Sequence, residues 1–143
     1  MQSVKQSYGY LGNKTKIQFE NSIERAHDLF LRKHEDYGSS WTVLRISSLI
    51  DQLFIKAKRI RSIEEKKEQK VQDPIDVEFI GLINYAAIGL ILLIEKPEYE
   101  AELSKEQVEK WYSKHVNEAY ALMVKKNHDY GEVWREMYIS SFT

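Results

Sequence analysis

An all-α fold follows from three features of the sequence. Two prolines and six glycines in 143 residues leave few interruptions to helix. Apolar residues recur at spacings of three and four, the period of a helix with one buried face. The third feature is a helix-ending motif that occurs twice. Lys33-His34-Glu35-Asp36-Tyr37-Gly38-Ser39-Ser40-Trp41 returns as Lys126-Asn127-His128-Asp129-Tyr130-Gly131-Glu132-Val133-Trp134, and Ile46-Ser47-Ser48-Leu49 returns as Ile139-Ser140-Ser141-Phe142. The offset is 93 positions, as between Asp36 and Asp129, and it also pairs Phe19 with Tyr112, Ile23 with Val116, Ala26 with Ala119 and Phe30 with Met123. A register kept this long is a duplicated structural unit, and its length exceeds the ~20–50 residues of solenoid repeats. The predicted architecture is a helical bundle built from a duplicated helix–turn–helix unit whose turn is Asp-Tyr-Gly, with the second copy incomplete at Thr143.

The elements follow in order. Residues 1–16, with Tyr8-Gly9-Tyr10-Leu11-Gly12-Asn13, read as an irregular N-terminal arm; 17–97 form the first complete unit, and 98–143 open the second copy and share its core. The first helix runs from about Thr15 to His34, with Phe19, Ile23, Ala26 and Phe30 on one face. Gly38 supplies the left-handed residue that commonly ends a helix. A second helix starts near Thr42 and passes Arg61, its stripe made by Ile46, Leu49, Ile50, Leu53, Ala57 and Ile60. Its tail, Glu64 to Lys70, alternates charges like a solvated end. Asp73-Pro74 caps the third helix, with Asp as N-cap and Pro in the first turn. From Ile75 to Ile94 that helix is apolar nearly all round, which predicts the central element of the bundle. Its most apolar stretch, Phe79 to Ile94, is 16 residues, short of the ~20 that span a bilayer, and reads as a buried helix rather than a membrane segment. Lys96-Pro97 ends it. Ser104 and Gln107, spaced as a capping box, begin a fourth helix that repeats the first and ends at Asp129-Tyr130-Gly131.

Composition narrows the function. A net charge of −1 argues against a general nucleic-acid binder, which carries a basic excess. Zero cysteines exclude a disulfide framework and a thiolate metal site. With no apolar signal core in Met1-Gln2-Ser3-Val4-Lys5, the reading is a cytoplasmic protein. No histidine pair has metal-ligand spacing, and there is no phosphate-cradling glycine loop.

Three groups of residues stand out as candidates for chemistry. Lys33 continues the apolar stripe of the first helix, so its ammonium emerges at the edge of the core. With Asp36 one turn on, it either forms a local ion pair or contributes to a site, and both residues recur as Lys126 and Asp129. The run Asp51 to Arg61 places Lys56, Lys58, Arg59 and Arg61 beside an apolar stripe, which is either a solvated face or a phosphate-binding surface. On the third helix the exceptions to apolarity are Glu78, Gly81, Asn84 and Tyr85, at spacings of three and four along one stripe. Buried polar groups need partners. Either Glu78 meets Arg59 or Arg61 while Asn84 satisfies a neighbouring backbone, or the stripe faces a cleft shared with Asp51, Lys56 and Arg59, in which Gly81 leaves room for a ligand or for a close helix approach.

Asp36-Tyr37-Gly38, the helix from Leu49-Ile50-Asp51 to Lys58-Arg59-Ile60, and Phe79-Ile80-Gly81-Leu82-Ile83-Asn84-Tyr85-Ala86 together resemble the nucleotide modification associated domain 1 family of phages and bacteria. The likeness covers about Lys33 to Ile94 and again Lys126 to Thr143, and implies a nucleotide-related role. The pattern also looks like the all-α nucleotide pyrophosphohydrolases, helical bundles that hold Mg²⁺ against a nucleoside triphosphate. That likeness implies Asp51 and Glu78 as metal carboxylates, Lys56 and Arg59 as phosphate contacts and Asn84 as a nucleotide contact. This chain departs from it in having Gly81 where related sequences carry an acid, and in lacking a Glu-x-x-Glu cluster within either helix. Two functions are therefore expected: a Mg²⁺-dependent pyrophosphohydrolase-like enzyme, or a non-catalytic helical module that binds a nucleotide or a partner protein. The incomplete second copy implies self-association or membership of a longer chain.

Overall fold

The computed structural model describes residues 2–66 and 75–138, residues 2–12 by their backbone alone. It is an all-α bundle of four helices: α1 (Gln2–Tyr37), α2 (Ile46–Lys66), α3 (Ile75–Leu90) and α4 (Lys105–Tyr130). Single 3-10 turns follow α1 (Ser40–Val43) and α4 (Val133–Glu136), and α3 continues into a π turn, Ile91–Glu95. The proposed Asp73-Pro74 cap and the repeated Ile139 to Phe142 lie outside the described residues.

The helix ends are set by local chemistry. α1 and α4 both stop at the tyrosine of Asp-Tyr-Gly, where Gly38 (φ 64°) and Gly131 (φ 66°) take the left-handed conformation that costs a glycine little. The backbone after them repeats bond for bond at the 93-residue offset. Thr42 N–H donates to Ser39 O at 3.0 Å and Leu44 N–H to Trp41 O at 3.1 Å; Arg135 N–H donates to Glu132 O at 3.0 Å and Met137 N–H to Trp134 O at 3.2 Å. Ser104 caps α4 by accepting from Gln107 N–H at 3.1 Å.

Three expectations need correction. The segment 1–16 is no irregular arm, because α1 is helical from Gln2. Gly9 and Gly12 each cost a helix ~1 kcal/mol relative to alanine, and without a proline nothing there ends it. α2 begins at Ile46 instead of Thr42; Thr42 is buried in the 3-10 turn, where its hydroxyl donates to Ser39 O at 2.9 Å. α3 with its π turn is also longer than its most apolar stretch: Ile75–Glu95, 21 residues, has the length and hydropathy of a membrane span. In this fold α1, α2 and α4 all pack against it, which makes it the central helix. Only 28% of its most apolar window is buried, however, and Val77, Leu90, Leu93 and Ile94 are exposed, so it is not the buried helix that the sequence predicts.

The core lies where α3 meets the α1–α4 pair, with Phe30, Trp41, Ala87, Ile88, Val108 and Tyr112 at its centre. α1 and α4 run antiparallel. Phe19 packs on Tyr120 with ring centroids 5.1 Å apart, and His27 stacks on Tyr112 at 4.9 Å. The repeat offset turns Phe19 into Tyr112 and His27 into Tyr120, so these are one contact seen from either half. A local two-fold axis therefore passes between α1 and α4.

Candidate functional site

A cavity of about 310 Å³ opens between the first Asp-Tyr-Gly turn, α2 and α3. α1 contributes Lys33, His34 and Tyr37 to its wall, the 3-10 turn Trp41, α2 Lys56, and α3 Gly81, Asn84 and Tyr85. The spacing of three to four along α3 puts Gly81, Asn84 and Tyr85 on the wall together. Among the described residues no aspartate or glutamate lines it. Two ammonium groups, the four aromatic side chains of Phe30, Tyr37, Trp41 and Tyr85, and no carboxylate among the described residues make the interior attractive to an anion that carries a flat ring system.

Lys56 is the most constrained of these groups. Its ammonium donates to Glu78 Oε2 at 3.3 Å and lies 5.7 Å from the centroid of the Tyr85 ring. Glu78 is buried, and its other oxygen accepts from Arg59 at 3.0 Å. Burial pushes the Glu78 carboxyl up, but the Arg59 hydrogen bond and the charge and hydrogen bond of Lys56 outweigh it and hold the group below the ordinary carboxylate range. One anion between two cations leaves this triad with a net positive charge at the cavity edge. Gly81 lets the triad form: a Cβ there falls 2.6 Å from Lys56 Cε and 2.9 Å from its Nζ. The room predicted at Gly81 is thus taken by a lysine side chain crossing α3.

Asn84 is fixed at the back of the wall. Its amide donates to Ala26 O at 3.0 Å and its oxygen accepts from the Tyr112 hydroxyl at 2.8 Å, as expected of an asparagine satisfying a neighbouring backbone. Burial raises the Tyr112 pKa well above the ordinary phenol value, so the hydroxyl stays a donor. His34 is tied to the loop before α4, its Nε2 lying 3.1 Å from Leu103 O. Facing a carbonyl, Nε2 carries the proton and leaves Nδ1 as an acceptor in the neutral ring. That Nδ1 and the indole N–H of Trp41 are buried without a hydrogen-bond partner. An unpartnered donor and acceptor on residues of one cavity wall are what a ligand with both functions would satisfy.

The structure divides the sequence candidates. Lys33, Lys56 and Asn84 meet in the cavity wall, together with Gly81 and Tyr85. Asp36 and Asp51 are exposed and lie outside that wall, and Arg59 reaches it only through Glu78. The proposed magnesium carboxylates do not fit a metal as they stand. Both Glu78 oxygens are engaged by cations, and no group of three or more His, Asp or Glu side chains placed to hold a metal occurs among the described residues. His34, Tyr37 and Trp41 line the wall without having stood out in the sequence as candidates for a site. Their place beside Gly38 was the available signal, because a sharp turn folds its flanking aromatics back onto the helices.

Residues 33–93 match the family model of nucleotide modification associated domain 1. The matched stretch holds the first turn, α2 and α3, and every wall residue named above except Phe30. The cavity therefore lies mostly within the matched stretch, with Leu29 and Phe30 of its lining outside it, and α4 supports it through Tyr112 and the loop before α4 through Leu103. Neither the curated proteins nor the solved structures contain a match to this chain.

Proposed function

We propose that the cavity binds the base and phosphate of a single nucleotide, and that the chain works as a nucleotide-binding module without a metal-dependent cleavage step. The observation that carries this reading is a carboxylate-free cavity walled by Lys33, Lys56, Tyr37, Trp41 and Tyr85. Its volume of about 310 Å³ sits at the lower end of small-molecule sites, which run from ~300 to ~1,000 Å³, and suits one nucleotide. The exposed Lys33 and the Lys56–Glu78–Arg59 triad supply charge for the phosphate. The tyrosine faces offer stacking for the base, and Trp41 Nε1 and His34 Nδ1 offer a donor and an acceptor. The family match adds an association with nucleotide modification.

The test is thermal shift and calorimetry with nucleoside mono-, di- and triphosphates, against inorganic phosphate alone. A ligand at a hundredfold over its Kd adds ~2.7 kcal/mol of stability. Lys33→Ala, at an exposed position, leaves the melting temperature unchanged and weakens binding about tenfold, the loss of a charge-assisted contact worth ~1.4 kcal/mol. If no nucleotide shifts the melting temperature, or if the Lys33 variant binds like the parent, the reading fails.

A further inference from the structure

A second, larger concavity of about 780 Å³ is lined by α1, α4 and the turn after α4, together with Ile83, Ala86, Ala87 and Leu90 of α3, and it shares no lining residue with the first cavity. Its walls are the repeat-mates of the surface that holds α3. The seat of α3 is made by Phe30, Trp41, Val108 and Tyr112, which close on Ala87, Ile88 and Ile91. Moved through the 93-residue offset, those four become Met123, Trp134, Thr15 and Phe19, and all four line the second groove. Ile23, Val116 and Ala119 also line it, and α3 itself forms one border, so an occupant would lie beside α3.

The two seats share walls and differ in burial. Ala26 is 0% exposed beneath α3, whereas its repeat-mate Ala119 is exposed. Trp41 is 8% exposed and Trp134 36%. Apolar surface that a two-fold relation builds twice, and that the described residues cover once, is an unpartnered helix seat, and α3 is the template for its occupant. One end is polar, where Thr15 hydrogen-bonds Glu132 and Arg135.

We propose that this groove is the docking site for one further helix of α3's type, presented by a helical hairpin that follows the second Asp-Tyr-Gly turn as α2–α3 follow the first. Such a helix is apolar and carries an amide side chain where it crosses Ala119, as Asn84 donates to the Ala26 carbonyl, with a small residue one turn later, as Ala87 follows Asn84. A second copy of this chain cannot supply it in this way: among the described residues there is a single α3 for two seats, so lending α3 to a neighbour empties the first.

The absence of cysteine makes the test clean. Ala119→Cys and Met123→Cys each place a single thiol in the groove, and Asn117→Cys places one on the exposed face of α4 as a control. Each is made in the full chain and in the same chain with residues 51–95 appended after Thr143, a junction that keeps the repeat register. The appended hairpin is expected to slow labelling of the two groove thiols roughly tenfold or more, the effect of ~1.4 kcal/mol of seating free energy, and to leave the control unchanged. Two results overturn the proposal. One is equal groove labelling with and without the hairpin. The other is groove thiols already protected in the parent chain in proportion to its concentration, which assigns the groove to a second copy.

Discussion

Replacing Gly81 by alanine tests how the cavity cation is held. A Cβ there lies 2.6 Å from Lys56 Cε and 2.9 Å from its Cδ and Nζ, so the lysine must swing away. Its terminal atoms move freely and the helix survives, gaining ~1 kcal/mol of propensity over glycine. Against that gain stands the loss of the Lys56–Glu78 bond, 3.3 Å long between side chains 19% and 4% exposed. A hydrogen bond between charged groups contributes ~1.5–3 kcal/mol, and this long one belongs at the low end. The expected net loss is about 0.5–1 kcal/mol, or a melting point lower by a few degrees. The pH dependence separates the two terms. With Lys56 displaced, the depressed Glu78 pKa rises towards its ordinary value of 4.5. A carboxyl with a lowered folded pKa contributes stability that is present above the unfolded value and lost as the pH falls through the folded one. The deficit of the variant is therefore full above pH 4.5 and closes as the pH drops below it. Urea unfolding at neutral pH and in steps into the acid range measures both. A variant more stable by ~1 kcal/mol, with the parent's acid dependence, would refute the account, because Lys56 would then contribute nothing through Glu78.

Two further predictions concern the frame around the cavity. Tyr112→Phe strands the Asn84 oxygen that its hydroxyl serves at 2.8 Å, at a cost of ~1–3 kcal/mol; a double-mutant cycle with Asn84→Ala should return a coupling of ~0.5–3 kcal/mol, and additive losses would show that the bond does not form. Trp41→Ala should cost ~3–5 kcal/mol as a core truncation, and its more exposed repeat-mate Trp134→Ala about half of that or less. Equal losses by chemical denaturation would mean that the second seat is as closed as the first.

The local features were legible in the sequence because each is decided within a few residues. Gly38 and Gly131 end their helices as the repeated motif predicts, Ser104 caps α4, and the apolar run of α3 marks the bundle's centre. The polar stripe Gly81-Asn84-Tyr85 also pointed to the right face, since helical spacing alone puts those positions together. What failed had a different scale. The stripe indicated a cleft or a set of internal partners, and the structure contains both: Gly81, Asn84 and Tyr85 reach the cavity, while Glu78 is consumed by Lys56 and Arg59. The likeness to the pyrophosphohydrolases implied Asp51 and Glu78 as metal carboxylates; in the structure Asp51 is exposed and both Glu78 oxygens are held by cations.

Helix type and the glycine-ended termini of α1 and α4 are properties of neighbours three or four positions apart, and the sequence by itself determined them because backbone hydrogen bonds and apolar periodicity act over that range. The Lys56–Glu78–Arg59 triad and the frame of the cavity depend on pairs 19, 22, 28 and 58 positions apart in the chain. Only tertiary packing decides which of several chemically suitable partners a buried polar group meets. One carboxylate has room for two cations, and the crossing of α2 over Gly81 selected which two.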